Sequence, residues 1–143
     1  MLHEKRNNDS LGGTNTGWYE ADDYMYKKCL DSSVLQGADC AILEFEGVYK
    51  DAEVYVNDRM VSYRPYGYTN FYVDIKGFLY NGENVIKVIA KNSDQPNSRW
   101  YSGAGIYRPV WLYTGGEKRI KLNGVKIKTV SYKDRTVEVE VNT

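Results

Sequence analysis

Short segments in which apolar and polar residues alternate recur along the chain, and no segment shows a helical period over a useful length. In one segment, three apolar residues that would face a core alternate with three that would face outward: Ala41, Leu43 and Phe45 against Ile42, Glu44 and Glu46. The same alternation occurs over residues 24–29, 52–56, 71–75, 106–112 and 137–141. Residues 85–90 are apolar on both faces apart from Lys87, which is typical of a strand inside a sandwich. The pattern predicts an all-β protein built as a sandwich.

Turn-forming residues separate these segments. Asn57 and Asp58 lie between two strand-like segments, 52–56 and 59–63. Both residue types tolerate the positive φ of a tight turn, so the sequence predicts a hairpin here.

Residues 97–112 combine a loop with a strand. A Gly-rich run that carries Arg99, Trp100 and Tyr101 leads directly into the alternating segment, so polar and aromatic groups would be displayed on a rigid strand. A dinucleotide site is excluded, because the run precedes a strand instead of opening a helix and lacks the G-x-G-x-x-G spacing. The alternation also places Arg108 on the inward face, which predicts a buried arginine paired with a carboxylate.

Composition narrows the function further. The chain has 143 residues, enough for one ordinary domain, and 19 basic residues balance 19 acidic ones, so a nucleic-acid partner is not expected. Its two cysteines have no partners at metal-ligand spacing, and we expect no metal, no cofactor and buried free thiols. No run reaches transmembrane length and no signal peptide follows Met1, so we expect no membrane partner and a cytoplasmic protein.

Glu44 and Glu46 are a pair of carboxylates on one face of a predicted strand. Such neighbours are about 7 Å apart, which is within the range of glycosidase carboxylates. Nothing nearby in the sequence would keep one of them protonated, however. We therefore expect a solvated face and not a catalytic pair.

Several motifs together resemble a known family. The run Ser98-Arg99-Trp100-Tyr101-Ser102-Gly103-Ala104-Gly105-Ile106-Tyr107-Arg108 resembles the signature near the end of the N-terminal sugar-binding domain of glycoside hydrolase family 2. That family contains β-galactosidases, β-glucuronidases and β-mannosidases, and the form here is most similar to the β-galactosidase branch. Other stretches agree in order: Thr16-Gly17-Trp18-Tyr19, Glu53-Val54-Tyr55-Val56-Asn57, Val73-Asp74-Ile75 and Gly82-Glu83-Asn84-Val85-Ile86.

The resemblance implies a jelly-roll β-sandwich of the galactose-binding-domain kind. It also implies that the parent protein is a retaining β-glycosidase, most similar to β-galactosidases, that hydrolyses O-glycosyl bonds with two glutamates in a downstream barrel domain. The segment itself would then hold no catalytic residue and be inactive alone. Its partners would be a carbohydrate of the β-galactoside kind and the remaining domains of the parent enzyme.

The resemblance also implies where the sugar is bound. Substrate-binding positions fall on one loop: Asp94, Asn97, Ser98, Arg99, Trp100 and Tyr101. Ser98 stands where some β-galactosidases have an acidic residue that contacts the sugar, and Asn97 or Asp94 could replace it. Arg99 and Trp100 are interpreted either as pocket lining or as structural support of the loop.

The domain interpretation has three parts. Residues 1–15 are a polar lead-in, expected to be the truncated start of a domain, and residues 16–116 are the sugar-binding sandwich. Residues 117–143 resemble the first strands of a following immunoglobulin-like domain. Two alternatives remain open: a non-catalytic carbohydrate-binding module, which would explain the many aromatic residues, and a purely structural accessory sandwich.

Overall fold

The computed structural model describes residues 6–10, 13–16, 18, 22–94 and 104–143 of the chain. Within these residues the secondary structure consists of strands and short 3-10 helices at Gly13–Thr16, Ser32–Leu35 and Lys76–Phe78. The strands are β1 (Tyr24–Asp31), β2 (Cys40–Phe45), β3 (Val48–Tyr49), β4 (Ala52–Val56), β5 (Arg59–Arg64), β6 (Phe71–Asp74), β7 (Glu83–Ala90), β8 (Gly105–Ile106), β9 (Val110–Gly115), β10 (Val125–Ser131) and β11 (Thr136–Val141).

Two antiparallel sheets form the body of the protein. One has the strand order β1-β7-β4-β5 and the other has the order β6-β2-β9. Their inward residues share one apolar core, which includes Leu43, Phe45, Val54, Val73 and Val88. The predicted all-β sandwich is therefore confirmed.

The core is anchored by an aromatic pair between adjacent strands. The rings of Phe45 on β2 and Phe71 on β6 are stacked with their centroids 4.8 Å apart. Burying a side chain of this size stabilises the fold by about 2–3 kcal/mol. Phe45 lies directly opposite Phe71 in the strand register, so the period-two pattern of the sequence is what brings the rings together.

The hairpin predicted at Asn57 and Asp58 is confirmed. Both residues have positive φ, 49° and 63°, and they connect β4 to β5. The Asn57 side chain then reaches beyond the turn and hydrogen-bonds to Asn84 at the start of β7. The turn is thus tied to a third strand.

The continuous strand predicted over residues 106–112 is wrong. β8 pairs with β3 in a separate two-stranded sheet, whereas β9 joins β2. Pro109 lies between them, and proline has no N–H to donate to a sheet ladder. The break also corrects the expectation for Arg108, which is exposed, with its guanidinium carbon 5.6 Å from the ring centroid of Tyr107.

Residues after the sandwich form a separate ribbon of two strands, β10 and β11. Strand alternation puts Lys126 opposite Glu140 on one face. The other face is aliphatic and exposed; Ile127, which is opposite Val139, is 70% exposed.

An apolar groove of about 420 Å³ opens between the two sheets. Its walls come from β1 and β7 on one side and from β2, β8 and β9 on the other. Tyr26, Phe45, Val88, Ile106 and Leu112 are among the lining residues.

Candidate functional site

The two ends of the loop predicted to face a ligand leave the sandwich close to each other. Residues 95–103 lie outside the described residues, but residues up to Asp94 and from Ala104 onward are described. After β7 the backbone N–H of Lys91 donates to the carbonyl of Lys50, which follows β3. β3 is the strand that pairs with β8, Tyr49 opposite Gly105, so residues 48–50 contact both stems of the loop.

Asp23 fixes the first stem. One carboxylate oxygen, Oδ1, accepts hydrogen bonds from the backbone N–H groups of Asn92 at 2.8 Å and Ser93 at 3.0 Å. Desolvation acts to raise the pKa of Asp23, but the hydrogen bonds from Asn92 and Ser93, with Lys91 nearby, lower it below its ordinary value. Asp23 is therefore ionised at neutral pH and holds the residues just before the loop.

Tyr26 and Gly105 fix the second stem. The backbone N–H of Ile106 donates to the Tyr26 hydroxyl at 3.2 Å. Gly105 has φ of 89°, and a Cβ at this position would overlap the Tyr26 hydroxyl oxygen. Only glycine satisfies both the backbone angle and the close approach of the tyrosine at this position.

An exposed aromatic cluster lies beside the second stem. The rings of Tyr66 and Tyr68 are more than half exposed, and Tyr68 also contacts the ring of Tyr49, with centroids 5.1 Å apart. Gly67 between them lies against the Tyr49 ring, and its carbonyl accepts a hydrogen bond from the Tyr107 hydroxyl at 2.7 Å. The segment of residues 65–68 is therefore held against β3 and against Tyr107, which directly follows β8.

Sequence reasoning missed this cluster. The run Pro65-Tyr66-Gly67-Tyr68 predicts only a break between strands. The available signal was the pair of tyrosines flanking a glycine, since an exposed tyrosine offers both an apolar ring and a hydroxyl. The cluster lies beside β8 because β3 pairs with β8. Each of these strands has only two residues, which is too short for the pairing to be predicted from sequence.

Of the predicted substrate-binding residues, the structure places one. Asp94 is exposed and follows the stem held by Asp23. The other five lie outside the described residues: Asn97, Ser98, Arg99, Trp100 and Tyr101.

Glu44 and Glu46 do not form a solvated face as expected, because Glu44 is buried, with 8% of its surface exposed. Its carboxylate accepts hydrogen bonds from Asn70 at 2.9 Å and from the Tyr113 hydroxyl at 2.8 Å. The bond from Asn70, followed by those from Tyr113 and Tyr72, lowers the pKa of Glu44. A carboxylate held ionised in this way is unsuited to be the proton donor of a glycosidase.

Within the described residues, no group of three or more His, Cys, Asp or Glu side chains is arranged to hold a metal ion. No helix in the same part of the chain has the length and apolar character needed to cross a bilayer. Of the two cysteines expected to be buried, Cys40 is buried but Cys29 on the edge strand β1 is exposed.

Comparison with known proteins gives consistent matches. The sequence model described as "Glycosyl hydrolases family 2, sugar binding domain" matches residues 9–116. The chain is 34% identical over 136 residues to the β-galactosidase BoGH2A of Bacteroides ovatus, which covers 94% of this chain and 16% of that protein.

Solved structures show the same relationship. A β-glycosidase from Bacteroides vulgatus superposes with a TM-score of 0.80 at 27% identity, covering 98% of this chain and 19% of that one. A β-glucuronidase from Bacteroides uniformis gives a TM-score of 0.68 at 26% identity, covering 91% of this chain and 16% of that one. The chain thus spans less than one fifth of the length of each of these relatives.

Proposed function

The chain belongs to glycosyl hydrolase family 2, as a sugar-binding domain, and from this we propose that it is the N-terminal domain of a retaining β-glycosidase that acts on β-galactosides. It contributes a loop to the wall of the sugar pocket, and the catalytic glutamates belong to another domain. The chain alone is therefore inactive. A cytoplasmic location stays a prediction from the sequence.

The observation that carries this proposal is the double anchoring of the loop. Asp23 holds the stem before residues 95–103, and Tyr26 holds the stem after them. A pocket wall must keep its groups in place while substrate enters, and rigid stems lower the entropy that is lost on binding. A loop that served only as a connection would not require this hydroxyl contact against an obligatory glycine.

The proposed sugar contacts are those of the loop itself. Trp100 stacks its ring on the apolar face of the sugar, while Arg99, Asn97 and Asp94 hydrogen-bond to hydroxyl groups. Ser98 and Tyr101 complete the wall. The exposed position of Asp94 supports this assignment, because its carboxylate is available to a ligand.

A galactoside is proposed because the B. ovatus relative is named a β-galactosidase. A second candidate is a β-glucuronide, because the B. uniformis neighbour is named a β-glucuronidase. The two differ in charge, since a glucuronide carries a carboxylate. Activity of the longer enzyme on p-nitrophenyl β-galactoside and β-glucuronide, measured as kcat/KM, distinguishes them.

Residues 117–143 are proposed to be the first strands of an immunoglobulin-like domain that follows the sandwich of residues 16–116. The support is the exposed aliphatic face of the β10–β11 ribbon, which includes Ile127. An isolated two-stranded ribbon is at best marginally stable in water, and further strands packed on this face would stabilise it.

The decisive experiment reads the coding sequence beyond Thr143. A continuation that encodes a barrel with two suitably spaced glutamates supports the proposal, whereas a stop codon directly after Thr143 contradicts it.

In the longer enzyme, Trp100→Ala is expected to reduce kcat/KM much more than it reduces stability. Tyr132→Ala is the matched control, because Tyr132 is 90% exposed in the turn between β10 and β11. Equal activity of the two variants would show that Trp100 has only a structural role.

Calorimetry tests the alternative of a non-catalytic module. The 143-residue chain is titrated with galactose, lactose, glucuronate and mannose. Binding weaker than about 1 mM is expected of one pocket wall by itself. Tighter binding would favour the module.

A further inference from the structure

Three aromatic side chains are exposed on the outer face of the sheet β6-β2-β9. They are Tyr72 on β6, 38% exposed, and Trp111 and Tyr113 on β9, 51% and 40% exposed. Residues that alternate with them, such as Val73 and Leu112, pack toward the core. The three rings are therefore on the face opposite to the core, and we call them the aromatic platform.

Each ring of the platform is fixed by its polar atom. The indole Nε1 of Trp111 donates to Glu46 Oε1 at 2.7 Å, and the Tyr113 hydroxyl donates to Glu44 Oε2 at 2.8 Å. The Tyr72 hydroxyl accepts from Asn70 at 3.1 Å. Side chains that are ordered before a ligand arrives lose little rotamer entropy on binding it.

The strand register gives the size of the platform. Glu44 on β2 pairs with Tyr72 on one neighbouring strand and with Trp111 on the other. The backbones of Tyr72 and Trp111 are therefore two inter-strand spacings apart, about 9.5 Å. Trp111 and Tyr113 are two residues apart on β9, which corresponds to about 7 Å. These spacings exceed the width of one sugar ring, so the platform fits an oligosaccharide better than a monosaccharide.

The side chains between the rings favour a sugar over a protein partner. The half-buried Glu46 and the exposed Asp74 lie on this face beside the buried Glu44, and acidic residues are depleted from the centres of protein interfaces. Carboxylate oxygens instead accept hydrogen bonds from sugar hydroxyls, while ring faces pack on the apolar side of a pyranose. The β10–β11 ribbon offers the contrasting case, because its exposed face is aliphatic and suits protein packing.

Charge further restricts the ligand. Within the described residues, the ion pairs are Lys87–Asp58, Lys91–Glu53 and Lys126–Glu140, so neither Glu44 nor Glu46 forms an ion pair. An acidic sugar would be repelled by this face. We propose that the aromatic platform is a second carbohydrate-binding surface, selective for neutral oligosaccharides and built from residues that do not belong to the loop of residues 97–102.

NMR of the 143-residue chain tests the proposal. The chain has three tryptophans, so three indole N–H signals are followed, and Trp111→Phe identifies that of Trp111. A neutral β-linked galactotetraose is expected to shift the Trp111 signal, whereas tetragalacturonate leaves it unchanged. No shift of this signal, or a shift confined to Trp100, would overturn the proposal. The titration uses the wild-type chain, so this result does not depend on whether a variant folds.

Variants give an independent measure of affinity. Trp111→Ala is expected to weaken binding of the galactotetraose about tenfold, because one stacking surface is lost. Tyr132→Ala changes an exposed residue in the turn between β10 and β11 and is expected to leave the platform's affinity unchanged. If octa-arginine shifts the Trp111 signal and the galactotetraose does not, the face binds basic polypeptide and the proposal is wrong.

Discussion

The side-chain amide of Asn57 donates a hydrogen bond to Asn84 Oδ1 at 2.7 Å, which joins the β4–β5 turn to the start of β7 inside the fold. Asn84 is fully buried, and its own amide donates to the carbonyls of Tyr80 and Gly82, both at 2.9 Å. The backbone N–H of Tyr80 donates to the same Oδ1 at 2.8 Å. One buried side chain thus satisfies the polar groups of two connecting segments.

Replacing Asn84 should therefore be costly. Asn84→Ala leaves several buried donors and acceptors without partners, and we expect the free energy of unfolding to fall by about 3 kcal/mol. Urea denaturation measures this difference. The exposed neighbour Asn81 is the matched control, and Asn81→Ala should change stability by less than about 0.5 kcal/mol. Similar losses for the two variants would contradict the role of the buried amide.

Gly105→Ala should also destabilise the protein. The new Cβ overlaps the Tyr26 hydroxyl and the backbone has φ of 89°, so we expect a loss of about 2 kcal/mol in denaturation experiments. Adding Tyr26→Phe should recover part of the loss, because the overlapping atom is removed. Gly77→Ala is the control, since nothing lies within 4 Å of its Cβ and its φ is not positive. Failure of Tyr26→Phe to recover any stability would show that backbone strain alone is responsible.

Asp23 provides a prediction about the loop stem. In Asp23→Ala the N–H groups of Asn92 and Ser93 lose their acceptor, so their hydrogen exchange should accelerate at neutral pH. The same amides should exchange faster relative to the core when the wild-type protein is acidified through the lowered pKa of Asp23. Glu83→Ala, an exposed change at the other end of β7, should leave these amides unaffected. If exchange is unchanged in Asp23→Ala, Asp23 does not anchor the stem.

The ion pair of Glu53 and Lys91 predicts a pH dependence. The hydrogen bond from Lys91, followed by that from Tyr55, lowers the pKa of Glu53, and the bond to Glu53 raises the pKa of Lys91. The pair's contribution to the free energy of unfolding is therefore constant between pH 4.5 and pH 10.5, the ordinary pKa values of the two groups. It is lost as the pH falls through the lowered pKa of Glu53 or rises through the raised pKa of Lys91.

Glu53→Gln tests this window. The difference in unfolding free energy between wild type and variant should be modest, flat at intermediate pH, and smaller at both extremes. Glu83→Gln serves as the control, because Glu83 is exposed at the start of β7. A difference that grows on acidification would contradict the assignment.

Local patterns predicted most of the sandwich. The strands predicted from the alternation of β2 and β4 and from the apolar run of β7 are confirmed, as is the turn at Asn57 and Asp58, because each depends only on neighbours in sequence. The break at Pro109 and the short pairing of β3 with β8 were not predicted, since both depend on which distant strand supplies the partner.

The site was less predictable than the fold. Gly105 belongs to a Gly-rich run in the sequence, but the tyrosine that requires glycine there is far away in the chain, on β1. Glu44 illustrates the same limit, because its alternation predicts solvent exposure while Asn70 and Tyr113, from other segments, cover it. The contacts that give a side chain its role here are mostly between distant segments.

Tyr26 has its ring in the apolar groove and its hydroxyl on the backbone of Ile106. A single side chain therefore belongs both to the packing of the sandwich and to the anchoring of the loop. Efforts to raise the thermal stability of this protein by filling the groove with larger side chains would press on the same ring. Any such stabilised variant would have to be assayed for sugar recognition, because improved packing and an undisturbed loop are not independent goals in this fold.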